Sequence, residues 1–112
     1  MLSEAEADRL LHALADATRR DIIRQVLVSE QSISALARGY EMSMTAVQKH
    51  VGVLERAGLV VKHRHGREQR IACEWTTLQR VQTLLDEYEQ LWRRRMDRFG
   101  AVLAESTKEP NG

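Results

Sequence analysis

The sequence predicts a mainly helical domain of about five helices with one two-stranded β-hairpin inserted before the last. Three observations predict it. Apolar residues recur at helical spacing through five segments, several of them opened by a small polar residue suited to capping. The run LVVKHRHGREQRIACE, Leu59 to Glu74, instead holds two short β-rich stretches about RHGR. The segment TTLQRVQTLLDEYEQLWRRRMDRFGAVLAE, from Thr76, keeps its helical period without a break.

Each element follows from its residues. Ser3 and Glu6 make an S-x-x-E capping box ahead of Leu10, Leu11 and Leu14, which form the stripe of a first helix. Asp16 can cap a second helix with Ile22, Ile23, Val26 and Leu27 on one face. Ser29 and Ser32 mark a turn and a cap. The short third helix, ISALARGY, turns Ile33, Leu36 and Ala37 inward, and Gly39 is placed to end it in the left-handed conformation. Ser43 caps a fourth helix that buries Ala46, Val47, Val51 and Leu54 and stops at Gly58. In the hairpin, Val60 and Lys62 alternate, Ile71 and Cys73 share a face, and His65-Gly66 is the expected tip because Gly takes positive φ freely. Thr76 or Thr77 can cap the last helix, in which Leu78, Leu85, Trp92 and Phe99 recur every seven residues. Val81, Tyr88, Arg95 and Val102 fill the alternate positions. A helix-turn-helix followed at once by a basic hairpin is a winged helix-turn-helix, with helix 43–57 and wing 60–73 as its outward parts.

Composition excludes several classes. With 112 residues, 29% charged and 4% aromatic, the chain fits one domain, placed at 1–104, with a tail at 105–112 that holds the only Pro and is expected to be disordered. No apolar run approaches the ~20 residues of a membrane span, and the acidic start MLSEAEADRL has no signal-peptide character. The single Cys73 fits a reducing, cytoplasmic setting and reads as an inert buried thiol. His63 and His65 lack a third ligand, so no metal site is expected. No nucleophile triad, phosphate loop or carboxylate pair points to an enzyme, and no cofactor is implied.

The chain resembles the ArsR-type family of bacterial and archaeal winged helix-turn-helix repressors. The matching residues are LADATRRDII (14–23), MSMTAVQKHVGVLERAGLV (42–60), HGRE (65–68) and YEQLWRRRMDRF (88–99). Ala17 stands where the family commonly has Pro. The Tyr88–Trp92 segment looks like a branch whose members often lack metal sites. The third helix carries no Cys-x-Cys and the last helix no His, so both usual metal motifs are absent. The resemblance implies a transcriptional repressor fold without the usual metal input. The stripe of Leu78, Leu85, Trp92 and Phe99, more than a lone domain could bury, predicts a homodimer through the first and last helices. Its two-fold symmetry predicts a palindromic operator. The resemblance names no effector.

Within that expectation the outward residues acquire roles. The second helix of a helix-turn-helix lies in the major groove, its N-terminal turns on base edges. Gln48 can pair bidentately with adenine, Lys49 can reach guanine or phosphate, and Met44 and Thr45 can meet a thymine methyl. Ser43 and the helix N-terminus can bind phosphate. His50 suits either a phosphate contact or a structural hydrogen bond. Arg64, His65 and Arg67 sit at the wing, where the resemblance places minor-groove or phosphate contacts. From Ser43 to Arg70 there are six Lys/Arg against two Glu, a local +4, so the rest of the +1 chain carries −3. Leu10, Leu78, Leu85, Tyr88, Trp92 and Phe99 are the expected dimer contacts. A rival reading is a winged helix that binds protein rather than DNA; the basic reading face argues against it.

Overall fold

Four helices begin behind a side-chain oxygen that accepts the amide three residues on. In α1 (Glu4–Leu14), Ser3 accepts from Glu6 N–H at 3.1 Å, and in α2 (Ala17–Val28), Asp16 accepts from Arg19 N–H at 3.0 Å. In α3 (Ile33–Arg38) Ser32 accepts from Ala35, and in α4 (Met44–Arg56) Ser43 accepts from Ala46, both at 3.1 Å. Each cap satisfies one of the amides that a helix start leaves unpaired, and each replacement by Ala would cost about 1 kcal/mol. All four expected caps therefore stand where the small polar residues precede apolar periods.

The remaining elements are β1 (Gln31–Ser32), β2 (Val60–His65), β3 (Glu68–Cys73) and α5 (Trp75–Thr107). This is a computed structural model, and it describes residues 2–107. The described chain divides into two units, one reaching Val81 and one starting at Gln82. The core of the first unit is made by Ile22, Leu36, Val47, Val51, Leu54, Leu59 and Ile71, all fully buried. Of the second unit's residues through Ser106, only Leu84 is half-buried; the rest are exposed.

Several expectations shift. The sheet has three strands, not two, in the antiparallel order β1-β3-β2, with Gln31 opposite Ile71 and Ser32 opposite Arg70. A two-residue strand has no period to read, and Ser32 also serves as the α3 cap. Gly39 ends α3 at φ −86°, in the right-handed region, so its freedom is not used there. Gly58 does use it, at φ +79°. Leu59 N–H reaches back to Leu54 O and Gly58 N–H to Glu55 O, both at 2.9 Å, with Leu54 and Leu59 buried together. That is a Schellman stop. The hairpin pairs His65 with Glu68, so its loop is Gly66-Arg67, one residue later than expected. Positive φ at Gly66 and not at Arg67 is the type II′ pattern. Helix α5 starts at Trp75, ahead of both threonines; Thr76 donates to Glu74 Oε1 at 2.7 Å from inside the first turn. At the other end it runs through Thr107, past the boundary placed at 104, and 108–112 of the expected tail lie outside the described residues. Leu27, expected inward on α2, is 48% exposed.

Candidate nucleic-acid interface

Helix α4 divides cleanly by face. Val47, Val51 and Leu54 are fully buried, which fixes its rotation about its own axis. Ser43, Met44, Thr45, Gln48 and Lys49 are thereby left exposed. The Ser43 hydroxyl is committed to the Ala46 amide, while the amides of Met44 and Thr45 belong to the first turn, which has no intrahelical acceptors for them. The outer face thus offers amide donors at its tip, a methyl-bearing thioether and hydroxyl, a carboxamide and an ammonium. None is needed by the core.

The turn leading into α4 is fastened from below. Tyr40 donates its hydroxyl to Asp21 Oδ2, and Gln25 Nε2 donates to both Asp21 Oδ2 and the Tyr40 oxygen at 2.9 Å. The Tyr40 bond, then that of Gln25, holds the Asp21 carboxyl below the usual carboxylate range. Burial, then Asp21, pushes the Tyr40 phenol well above its ordinary value. This ties α2 to the segment between α3 and α4.

His50 points the other way. It is half-buried, and its Nδ1 lies 3.3 Å from Arg19 Nη1 and 4.0 Å from Asp16 Oδ1. A guanidinium only donates, so a hydrogen bond between the two takes Nδ1 as its acceptor. Arg19 also donates to Ala13 O at 2.7 Å and His12 O at 3.0 Å, carbonyls at the end of α1. These contacts are the structural hydrogen bonding expected as one of the two roles of His50. Arg19 was not singled out in the sequence, because its three acceptors come from two other helices.

In the wing, Arg64, His65 and Arg67 are exposed. The two acids of this region are occupied: Glu55 pairs with Lys62 and Glu68 with Arg70, each at 3.5 Å. His63 meets Glu30 at 2.6 Å. Among the described residues, Lys49, Arg56, Arg64 and Arg67 have no carboxylate partner, so the local +4 is carried by these four cations.

The expected dimer residues separate. Leu85, Tyr88, Trp92 and Phe99 are all more than half exposed. Leu10 is 2% exposed, sealed in the core of its own chain, so it cannot also supply a contact surface. Its neighbour Leu11, 46% exposed, is the α1 leucine that faces outward, because only one edge of the α1 stripe reaches the core. Leu78 is half-buried against that core. Burial, then Glu74, raises the pKa of the Cys73 thiol. Among the described residues no three His, Cys, Asp or Glu side chains are grouped to hold a metal, and no helix is long and apolar enough to cross a membrane.

A family model described as a helix-turn-helix domain matches residues 14–63. The chain is similar to the HTH-type transcriptional regulator Rv2034 of Mycobacterium tuberculosis, 31% identical over 96 residues, 86% of this chain and 87% of that protein. Its fold is similar to that of an ArsR-like transcriptional regulator from Rhodococcus sp. RHA1, with a TM-score of 0.77 and 31% identity over 88% of this chain and 92% of the other. HlyU from Vibrio cholerae is also similar (TM-score 0.62, 28% identity, 75% and 91% covered). The homodimeric winged helix-turn-helix DNA-binding domain Mb0332 from Mycobacterium bovis shares the fold at a TM-score of 0.63 and 24% identity, over 77% of this chain and 83% of that domain. With the wing in place behind a capped, outward-facing α4, and with relatives alike along most of their length, the chain belongs to the ArsR-type family of winged helix-turn-helix transcriptional regulators.

Proposed function

We propose that this chain is a sequence-specific repressor that binds a palindromic operator as a homodimer, reading bases with α4 and holding phosphates with the wing. The observation that carries the reading is the outer face of α4: Thr45, Gln48 and Lys49 are exposed, none is required by the core, and uncompensated cations flank them. A helix fixed by buried Val47, Val51 and Leu54 presents these side chains in a set orientation, as base reading requires. Ser43, Met44, Arg64, His65 and Arg67 complete the contact set.

Dimerisation is supported by the apolar arc of α5, where Leu85, Tyr88, Leu91, Trp92, Phe99 and Leu103 are each at least half exposed. So much contiguous apolar surface on one helix marks an association face. The Mycobacterium bovis domain of like fold is homodimeric. Two-fold symmetry would set half-sites about one helical turn, ~10 base pairs, apart.

The test is selection of duplexes from a random library by the purified protein, followed by titration of Gln48→Ala. The carboxamide of Gln48 offers donor and acceptor together, the adenine pattern. Gln48→Ala should cost ~1–3 kcal/mol on the selected duplex and much less on random DNA. Binding of both duplexes as in the wild type would remove α4 as the reader.

A further inference from the structure

We propose that Arg56 is a phosphate contact of the DNA-reading face and that Gly52 is the residue that positions it; this rests on the reading role proposed for α4. Thr45, Lys49, Gly52 and Arg56 follow one another at three- and four-residue steps, so they lie along one outer face of the helix. A glycine in mid-helix disfavours the helix relative to alanine, so its presence in α4 calls for a reason. The reason lies in what stands above it. A Cβ at position 52 would come within 3.3 Å of Arg56 Nη1, 3.9 Å of Cζ and 4.0 Å of Nη2. The guanidinium therefore lies over the bare backbone of Gly52.

Side chains on a helix lean toward its N-terminus, so this placement draws the Arg56 charge back one turn toward Lys49 and Gln48. A shallow groove follows the same face, lined in part by Gln48, Lys49, Gly52, Glu55, Arg56 and Lys62. The neighbouring Glu55 is occupied by Lys62 at 3.5 Å, and among the described residues no carboxylate pairs with Arg56. An arginine in an open groove whose carboxylate, Glu55, is already paired with Lys62 suits an anion that arrives from outside. Arg56 ends α4, whereas bases are met by the helix's N-terminal turns, so the DNA group at this depth is the phosphate ribbon.

The experiment titrates wild type, Arg56→Gln, Gly52→Ala and the double variant against a duplex selected by the wild type and a random-sequence duplex, across a salt series. Arg56→Gln should weaken both duplexes roughly fivefold at physiological salt and lower the salt slope by about one unit. Gly52→Ala should do the same while its melting temperature rises, since alanine favours the helix. The double variant should bind no more weakly than Arg56→Gln alone. Gly52→Ala binding as the wild type does, or losses that multiply in the double variant, would overturn the positioning role. Arg56→Gln losing nothing, or losing only the selected duplex, would overturn the phosphate contact. Gln48→Ala keeps the two claims apart: if it loses discrimination while Arg56→Gln is silent, α4 still reads DNA and only this inference falls. If the wild type binds neither duplex, both fall.

Discussion

Replacing Arg19 by Met should destabilise the protein where α1, α2 and α4 meet. The Arg19 side chain is 12% exposed and makes three hydrogen bonds, to Ala13 O, His12 O and His50 Nδ1, at 2.7, 3.0 and 3.3 Å. Methionine keeps much of the apolar stem and removes every donor. A hydrogen bond to a charged group contributes about 1.5–3 kcal/mol, and the two carbonyls at the end of α1 also lose a positive charge beside the helix's negative pole. The His12 carbonyl is exposed and water can replace its partner. The His50 contact is long. The expected loss is therefore about 2–4 kcal/mol, a large share of the ~5–15 kcal/mol typical of a domain. Arg19→Lys should recover less than half, because one ammonium cannot span three acceptors. Urea unfolding at fixed protein concentration measures this, with a lower midpoint and an unchanged m-value. A loss under ~1 kcal/mol for Arg19→Met, or a lysine variant equal to the wild type, would show that the three bonds do not join α1, α2 and α4 as described.

Tyr40→Phe should cost about 1–2 kcal/mol and alter the pH dependence at both ends. Asp21, with its folded pKa depressed by Tyr40 and then Gln25, contributes stability above its ordinary pKa of 3.8 that is lost as pH falls through the folded value. Tyr40, with its pKa raised, contributes stability below pH 10.0 that is lost as pH rises above it; thermal melts of the Phe variant should show a shallower acid limb and no such alkaline loss. Trp92→Ala should leave the protomer folded, since the ring is 57% exposed, yet weaken self-association by roughly 2–4 kcal/mol as an interface anchor does; sedimentation showing an unchanged assembly, or circular dichroism showing lost helix, would contradict this. Arg67→Ala should weaken operator and random DNA alike and lower the salt slope by about one unit, whereas loss on the operator alone would mean that the wing reads a narrow minor groove.

What could be read from the chain was what neighbouring residues decide. Ser3, Asp16, Ser32 and Ser43 announce helix starts because a short oxygen-bearing side chain can reach only the amides just ahead of it. Val47, Val51 and Leu54 announce the buried face of α4, and so the outward face opposite. The rest depended on partners far along the chain. Leu10 and Leu11 are equally apolar, and only the packing of α1 against the core decides which one is sealed. β1 exists because β3 passes beside Gln31 and Ser32, not because those residues favour strand. Arg19 and Tyr40 look like ordinary polar residues until the helices they join are brought together. Gly39 and Gly58 look alike as helix stops, yet only the second takes positive φ, because there the chain must turn at once to bury Leu59 beneath Leu54.

The strand order carries a consequence for solubility. β3 is the middle strand, so β2 runs along an open edge of the sheet, with one side of its backbone unpaired. Such an edge is a template on which another extended chain can add itself, and proteins commonly guard it with charge. β2 is guarded along its length: Lys62, His63, Arg64 and His65 follow the exposed Val61 in unbroken succession. Any approaching strand must desolvate those polar and charged side chains or sit beside them. The basic residues suited to a nucleic acid thus also act as gatekeepers against self-templated aggregation, and a wing made apolar would lose both safeguards at once.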